Sequence, residues 1–370
     1  MIPVFEPAIH SDDVAAAADA LRRGEISGTH GESILRFEEA FAAYCGRRFG
    51  VATSSGTTAL QLAVAAARIG AGDEVLVSTL TNVATALAAV HNGAVPVPVD
   101  CEATTWNMDL DLVESRITAR TKAVIPVHLY GHPVDMDRLC EIADRRGIIV
   151  IEDCAQAHGA RCRGRRVGSF GAMSCFSFYA NKVITTGEGG MVLTDDAALA
   201  ERLRLLRNLG FTKPRFRHEV AGFNFRMTGV QAALGRAQLA RIDETIEKKR
   251  KLARIYARNL AGVRGLRLAV ELEWAFNIYW MYAVVVEEGA AVNRDAIRAE
   301  LEREGIDTRT FFCPMNQQPC LASVDGFATT PCPVADSLWK TGMYLPSSIE
   351  LGEESVRRIA GIFAGMLGRA

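Results

Sequence analysis

The chain of 370 residues is long enough for one large domain and a smaller one, and 42 lysines plus arginines against 43 aspartates plus glutamates leave a formal net charge of -1. That balance provides no cationic field for nucleic acid or an anionic membrane as the main partner. Nine scattered cysteines without a CxxC pair or regular Cys/His spacing, and no run near the roughly 20 apolar residues of a membrane span, suit a reduced, cytoplasmic, soluble chain without a metal site.

Helical periodicity begins over residues 12–23, where Val14, Ala17, Ala18 and Leu21 recur behind a Ser11 cap. A loop of small polar residues, including Ser27 and Thr29, leads to a second amphipathic helix over 33–44. From Val51 the chain reads Ala-Thr-Ser-Ser-Gly-Thr-Thr and enters an Ala-rich helix over 59–67. A glycine and hydroxyl residues at a helix start leave backbone N–H groups free, and the helix dipole favours an anion such as phosphate. Ordinary capping accounts equally for the hydroxyls. Strand-like runs at 74–78, 95–99, 123–127 and 148–151 then alternate with helical ones at 83–91, 109–117 and 135–146. Such alternation predicts a mainly parallel sheet with helices on both faces, whose ligands collect at the carboxyl ends of strands. Residues 54–57, 81–82, Asp153 and Ser177 should therefore converge.

The run 148–151 ends on Glu152 and Asp153, followed by Cys154-Ala155-Gln156-Ala157-His158-Gly159, an Arg-rich hairpin and a β-like run over 173–179. Lys182 comes next, in Ser177-Phe178-Tyr179-Ala180-Asn181-Lys182, with the turn Gly187-Glu188-Gly189-Gly190 behind it. A carboxylate at one strand end and a lysine just past another can meet over one small ligand, the layout a pyridoxal 5'-phosphate (PLP) site needs. Lysine offers an amine to the cofactor aldehyde, and aspartate favours the protonated ring nitrogen. Taken singly, each reads as a capping acid or a solvated lysine.

A helix over 195–208 and a loop with His218 lead to Gly222-Phe223-Asn224-Phe225-Arg226-Met227-Thr228-Gly229, which by itself also suits a loop feeding a helix capped by Thr228. The next helix runs to about residue 260 and carries Glu247-Lys248-Lys249-Arg250-Lys251 beside an apolar stripe of Ile242, Ile246, Ile255 and Leu260. The charges are assigned to a solvated face. A strand over 281–286, a helix capped at Asn293 and a last helix over 353–367 suit a small α/β unit, so the chain is expected to divide into residues 1–250 and 251–370.

These motifs resemble the DegT/DnrJ/EryC1/StrS family of PLP-dependent sugar aminotransferases. The resemblance rests on Glu152 to Gly159, Ser177 to Lys182, Thr186 to Gly190, Gly56 and Thr57 at their helix start, Gly222 to Gly235, Asp307-Thr308-Arg309 and Tyr344 to Ser348. It implies a fold type I α/β architecture: a large domain with a mainly parallel seven-stranded sheet, and a smaller C-terminal α/β domain. It implies that Lys182 holds PLP and shuttles a proton, that Asp153 meets the ring nitrogen and Gln156 the ring hydroxyl, and that Gly56, Thr57 and Ser177 hold the phosphate. Asn224 would arrive from the second subunit of a homodimer whose active site is shared across the interface. Arg226, Tyr179, Thr29 and Ser27 are the implied substrate contacts. The implied substrates are glutamate and a nucleotide-linked keto sugar, and residues 309–314 most resemble enzymes that aminate a 4-keto-6-deoxy sugar.

Asn82 departs from the family, which there carries an aromatic residue stacked on the cofactor ring. Stacking contributes about 0.5–1.5 kcal/mol beyond area burial, and an amide plane can lie on a ring while hydrogen-bonding the substrate. Two alternatives share the fold. A related sugar dehydratase branch has histidine in place of the lysine, which Lys182 argues against, and a non-catalytic regulatory or binding scaffold is favoured only by the Asn82 change.

Overall fold

The computed structural model describes residues 1–214 and 216–369. In chain order it contains α1 (Ser11–Arg22), α2 (Ser33–Cys45), β1 (Phe49–Thr53), α3 (Gly56–Ala66), β2 (Glu74–Ser78), α4 (Ala84–Val90), β3 (Val95–Val99), α5 (Leu110–Arg116), β4 (Thr121–Ile125), α6 (Met136–Arg146) and β5 (Ile149–Asp153). There follow β6 (Arg161–Cys162), β7 (Arg165–Arg166), β8 (Met173–Ser177), β9 (Gly190–Thr194), α7 (Ala197–Arg207), α8 (Gly229–Leu239) and α9 (Ile242–Leu260). The last stretch has β10 (Leu266–Leu268), β11 (Ala275–Phe276), β12 (Tyr282–Val286), α10 (Arg294–Arg303), β13 (Arg309–Thr310), α11 (Pro319–Ala322), α12 (Pro333–Thr341), β14 (Gly342–Leu345) and α13 (Glu353–Leu367).

Strands β2, β8 and β9 are buried along their whole length, as near-continuous apolar runs in a sheet covered on both faces must be. The large sheet has seven strands in the order β1-β9-β8-β5-β4-β2-β3. All its pairings are parallel except those of β9, which runs antiparallel to both β1 and β8. The expected α/β sheet is present, with two strands, β1 and β9, that periodicity had not singled out. Both are short and follow turn residues, so their alternation is hard to separate from the flanking loops.

Boundaries differ from expectation for local reasons. Strand β4 stops at Ile125 because Pro126 has no N–H to continue the ladder. Strand β5 runs on to Asp153, whose N–H donates to the Pro126 carbonyl at 2.9 Å. Helix α1 starts after His10 rather than being capped by Ser11, because the Asp13 carboxylate accepts from the His10 N–H at 2.9 Å. Asn293 and Thr228 do cap α10 and α8.

A second sheet, β10-β12-β14-β13, packs against α9, α10 and α13 around Tyr256, Val284, Ile297 and Phe363. Helix α9 buries Ile242, Ile246, Ile255 and Leu260 as expected. It also buries Lys249, 2% exposed, which corrects the assignment of that lysine to a solvated face. Among the described residues no helix is long and apolar enough to cross a membrane, and all nine cysteines are unpaired.

The end of β5 is anchored from below by Glu152, which is fully buried. Its carboxylate accepts from the N–H groups of Gly168 (2.8 Å) and Phe170 (2.7 Å) and lies 3.2 Å from Nε2 of His128. Glu152→Ala would strand two buried N–H donors beside that imidazole. The expected loss of stability is about 3 kcal/mol or more, read as a lower urea midpoint at unchanged slope.

Candidate active site

The carboxyl ends of β2, β5 and β8 and the start of α3 open onto one cavity of about 380 Å³. Gly56, Thr57, Asn82, Asp153, Gln156, Ser177, Tyr179 and Lys182 all line it. The convergence expected from a parallel sheet is therefore realised for these residues.

Asp153 is 4% exposed. Its Oδ2 accepts from the Thr85 hydroxyl at 2.8 Å and its Oδ1 from the Ala155 N–H at 3.1 Å. Burial raises its pKa above the usual carboxylate value, while these two donors and nearby Lys182 act in the opposite direction. Lys182 follows β8 in a turn closed by its own N–H on the Tyr179 carbonyl at 2.9 Å. Its Nζ lies 3.9 Å from the centroid of the Trp280 ring. Burial lowers the amine to about 8, against the opposing pull of Asp153. Gln156 is 3% exposed, and its carboxamide oxygen accepts from the Tyr130 N–H at 2.9 Å.

The opposite end of the cavity is a cradle built by α3. Ser55 caps the helix, its hydroxyl accepting from the Thr58 N–H at 3.1 Å, so α3 begins at Gly56, three residues before the expected start. A Cβ on Gly56 would lie 2.6 Å from Cβ of Ser177, so only glycine lets the first turn close against β8. A Cβ on Gly190 would lie 2.2 Å from the Ser55 carbonyl oxygen, and the β1–β9 pairing thus presses the same turn from the other side.

Asn82 is exposed at the rim, and its carboxamide oxygen accepts from the Ala84 N–H at 3.0 Å, which ties the amide to the start of α4. Four sequence-predicted residues lie elsewhere. Ser27 and Thr29 are exposed and joined to each other at 3.0 Å. Their loop presses on Arg226, since a Cβ on Gly28 would lie 2.6 Å from the Arg226 Cβ, and Arg226 donates to Asn208 at 2.8 Å. Asn224 is exposed beside them. None of the four lines this chain's cavity.

Thr81, expected at the strand ends, does line the cavity, whereas sequence reasoning overlooked Thr85, Asn181, Trp280 and Phe312. Thr85 lies four residues after Thr81, at the start of α4, at the helical spacing that turns it back toward the strand ends. Trp280 and Phe312 come from the C-terminal part, with no local signal linking them to Lys182. The Thr81 hydroxyl and the Asn181 carboxamide oxygen both line the cavity and are buried without a hydrogen-bond partner among the described residues. Buried polar atoms of this kind call for a ligand that supplies the missing bonds. The donor set fits PLP: an N–H-rich cradle for phosphate, a carboxylate for a ring nitrogen and an amine for an aldehyde.

Fold and cavity together define an α/β enzyme in which an amine and a buried carboxylate line one cavity with the start of a helix. The DegT/DnrJ/EryC1/StrS aminotransferase family profile matches residues 7–364, and the chain belongs to that family. It is 43% identical over 332 residues to the GDP-perosamine synthase of Caulobacter vibrioides, covering 89% of this chain and 88% of that protein. It is 39% identical to the dTDP-3-amino-3,4,6-trideoxy-alpha-D-glucose transaminase of Streptomyces venezuelae, covering 97% and 94%. The solved structure of S. venezuelae DesV superposes with a TM-score of 0.91 at 39% identity over 97% of this chain and 95% of that one.

Since the neutral amine is the nucleophile, the cofactor-free protein should capture PLP at Lys182 faster as pH rises through about 8, then level off. A midpoint near that of an ordinary lysine, about 10.4, would contradict the burial argument. The rate is followed by the absorbance of the lysine-linked cofactor.

Proposed function

We propose that this protein is a PLP-dependent aminotransferase that moves an amino group from glutamate to a nucleotide-linked keto sugar, of the 4-keto-6-deoxy class, in amino-sugar biosynthesis. The observation that carries this reading is the presence of the Lys182 amine and the buried Asp153 carboxyl in one cavity with a glycine-floored helix start. The named relatives support the substrate class, since their names carry GDP- and dTDP-linked amino sugars.

On this reading PLP, when bound, supplies an electron sink for charge developing at the carbon that carries the amino group. Lys182 holds the cofactor through Nζ and, once released from it, accepts and returns the proton at that carbon. Asp153, steadied by Thr85 and Ala155, keeps the ring nitrogen protonated. Gln156 directs its N–H₂ to the ring hydroxyl. Gly56, Thr57 and Ser177 hold the phosphate by the α3 N-terminus, where backbone N–H groups and the helix dipole favour an anion. Tyr179 and Asn82 stand at the rim where the sugar enters.

Asn224, Arg226, Ser27 and Thr29 are assigned to the site of a second copy in a homodimer. Two observations support this: the four lie outside their own chain's cavity, and the neighbouring α1 and α2 regions expose Val14 (60%), Leu21 (56%), Ile26 (61%) and Leu35 (52%). We also propose a cytoplasmic location, in keeping with nine unpaired cysteines. A division into residues 1–250 and 251–370 is supported by the separate core of the second sheet, with α9 spanning the junction.

Purified protein given PLP, glutamate and a nucleotide-linked 4-keto-6-deoxy sugar is expected to release 2-oxoglutarate. Lys182→Ala should lower that rate at least about 100-fold while PLP stays only loosely bound; an unimpaired variant would refute the assignment. In sedimentation velocity the wild type should run as a dimer, and the double variant Val14→Asp, Leu21→Asp should run substantially as monomer with activity falling in step.

A further inference from the structure

One aromatic side chain ties the lysine of the site to the C-terminal part of the chain. Trp280 lies two residues before β12 and is 2% exposed. Its ring faces the Lys182 Nζ at 3.9 Å, and its Nε1–H donates to the carbonyl of Asn181, the residue before that lysine, at 2.6 Å. A single indole thus grips both the backbone and the charged end of the Lys182 turn. The ring is backed in turn by Tyr130, stacked 6.4 Å away at 17°.

The backbone of Trp280 is held by a group that the aminotransferase reading does not use. The Lys249 Nζ on α9 donates to the Trp280 carbonyl at 2.9 Å and also to the Ser347 carbonyl, and it faces the Phe5 ring at 5.0 Å. Among the described residues no carboxylate pairs with it, and burial lowers it to about 7. A buried lysine without an ion-pair partner is costly to keep, and sequence reasoning gave it no role. Here its donors join α9, the approach to β12 and the residues after β14 at one point. A small cavity beside it, of about 20 Å³, reaches Lys182 and is lined by Glu6, His10 and Arg241.

We propose that Trp280 is a positioning residue for Lys182, and that Lys249 is a positioning residue for Trp280. The indole confines the long lysine side chain to the orientation from which it meets an aldehyde in the cavity. The ring also favours the ammonium form over the amine. It acts there alongside the Asp153 carboxyl, with the buried His158 ring the further titratable group close enough to influence the lysine. Lys249 keeps the ring at that height. This inference rests on the PLP reading above.

The test follows cofactor capture by the cofactor-free protein, in which the Lys182 nitrogen bonds to the aldehyde carbon and the carbonyl oxygen leaves as water. Wild type and Lys182→Ala come first: capture by both, or by neither, overturns the PLP reading itself. Given capture by wild type alone, Trp280→Leu is expected to slow it roughly tenfold and to move its pH midpoint down by roughly half a unit. Trp280→Phe, which keeps a ring and loses the N–H, should slow capture less and hold the midpoint. Lys249→Met should slow capture as Trp280→Phe does, and Lys249→Arg should restore it. Circular dichroism checks folding, and should Trp280→Leu fail to fold, the Phe and Lys249 variants decide. Wild-type rate and midpoint in folded Trp280→Leu, or wild-type capture by both Trp280→Phe and Lys249→Met, would overturn the proposal.

Discussion

A buried carboxyl at the end of a strand is the constraint on which the rest of the site depends. Asp153 has left water, and in a medium of low dielectric its charge survives only where donors and a cation are already in place. The Thr85 hydroxyl and the Ala155 N–H supply the first, and Lys182 the second. Each of these comes from a different element: α4, the loop after β5 and the turn after β8. Their meeting requires strands β2, β5 and β8 to run the same way, so that their carboxyl ends open on one side. The parallel sheet is thus the condition under which one acid can be kept ionisable next to one amine.

Much of this was legible in the amino-acid string because parallel sheets and helix starts have strong local signatures. Apolar runs alternating with amphipathic ones announced the sheet, and Ser55-Gly56-Thr57 before an Ala-rich stretch announced the cradle. Asp153, Gln156, Ser177 and Lys182 fall within 30 residues, so their motif spacing carries both identity and order. What stayed hidden depends on contacts across long sequence separations. Trp280 meets Asn181 from 99 residues away, and Lys249 meets Trp280 and Ser347 from 31 and 98. The charge run at 247–251 illustrates the limit well. Its composition indicates a solvated face, yet helical rotation carries its middle residue inward while its neighbours Lys248 and Lys251 remain outside.

The residues that lie away from the cavity have a similar explanation. Ser27, Thr29, Asn224 and Arg226 form one cluster because Gly28 allows their loop to lie directly on Arg226. Motif order places them in the family, but a single chain has no geometric reason to fold them over its own Lys182. Asn82 gives a complementary lesson. Its amide serves the start of α4, a task that the short Asx side chain performs and an aromatic ring cannot. The cavity does have aromatic lining in Trp280 and Phe312, and each of these rings stacks on Tyr130.

The antiparallel strand β9 has a consequence for how the protein is made. Among the described residues it is the only partner of β1 in the sheet and one of two partners of β8, and its first residue, Gly190, lies under the Ser55 carbonyl. A chain emerging from the ribosome therefore carries Gly56 and Ser177 without the strand that locks them side by side until Thr194 has been added. Before that point β1 is an unpaired edge ahead of a nascent parallel sheet, open to the wrong strand. The start of α3 is thus translated well before the strand that fixes its shape.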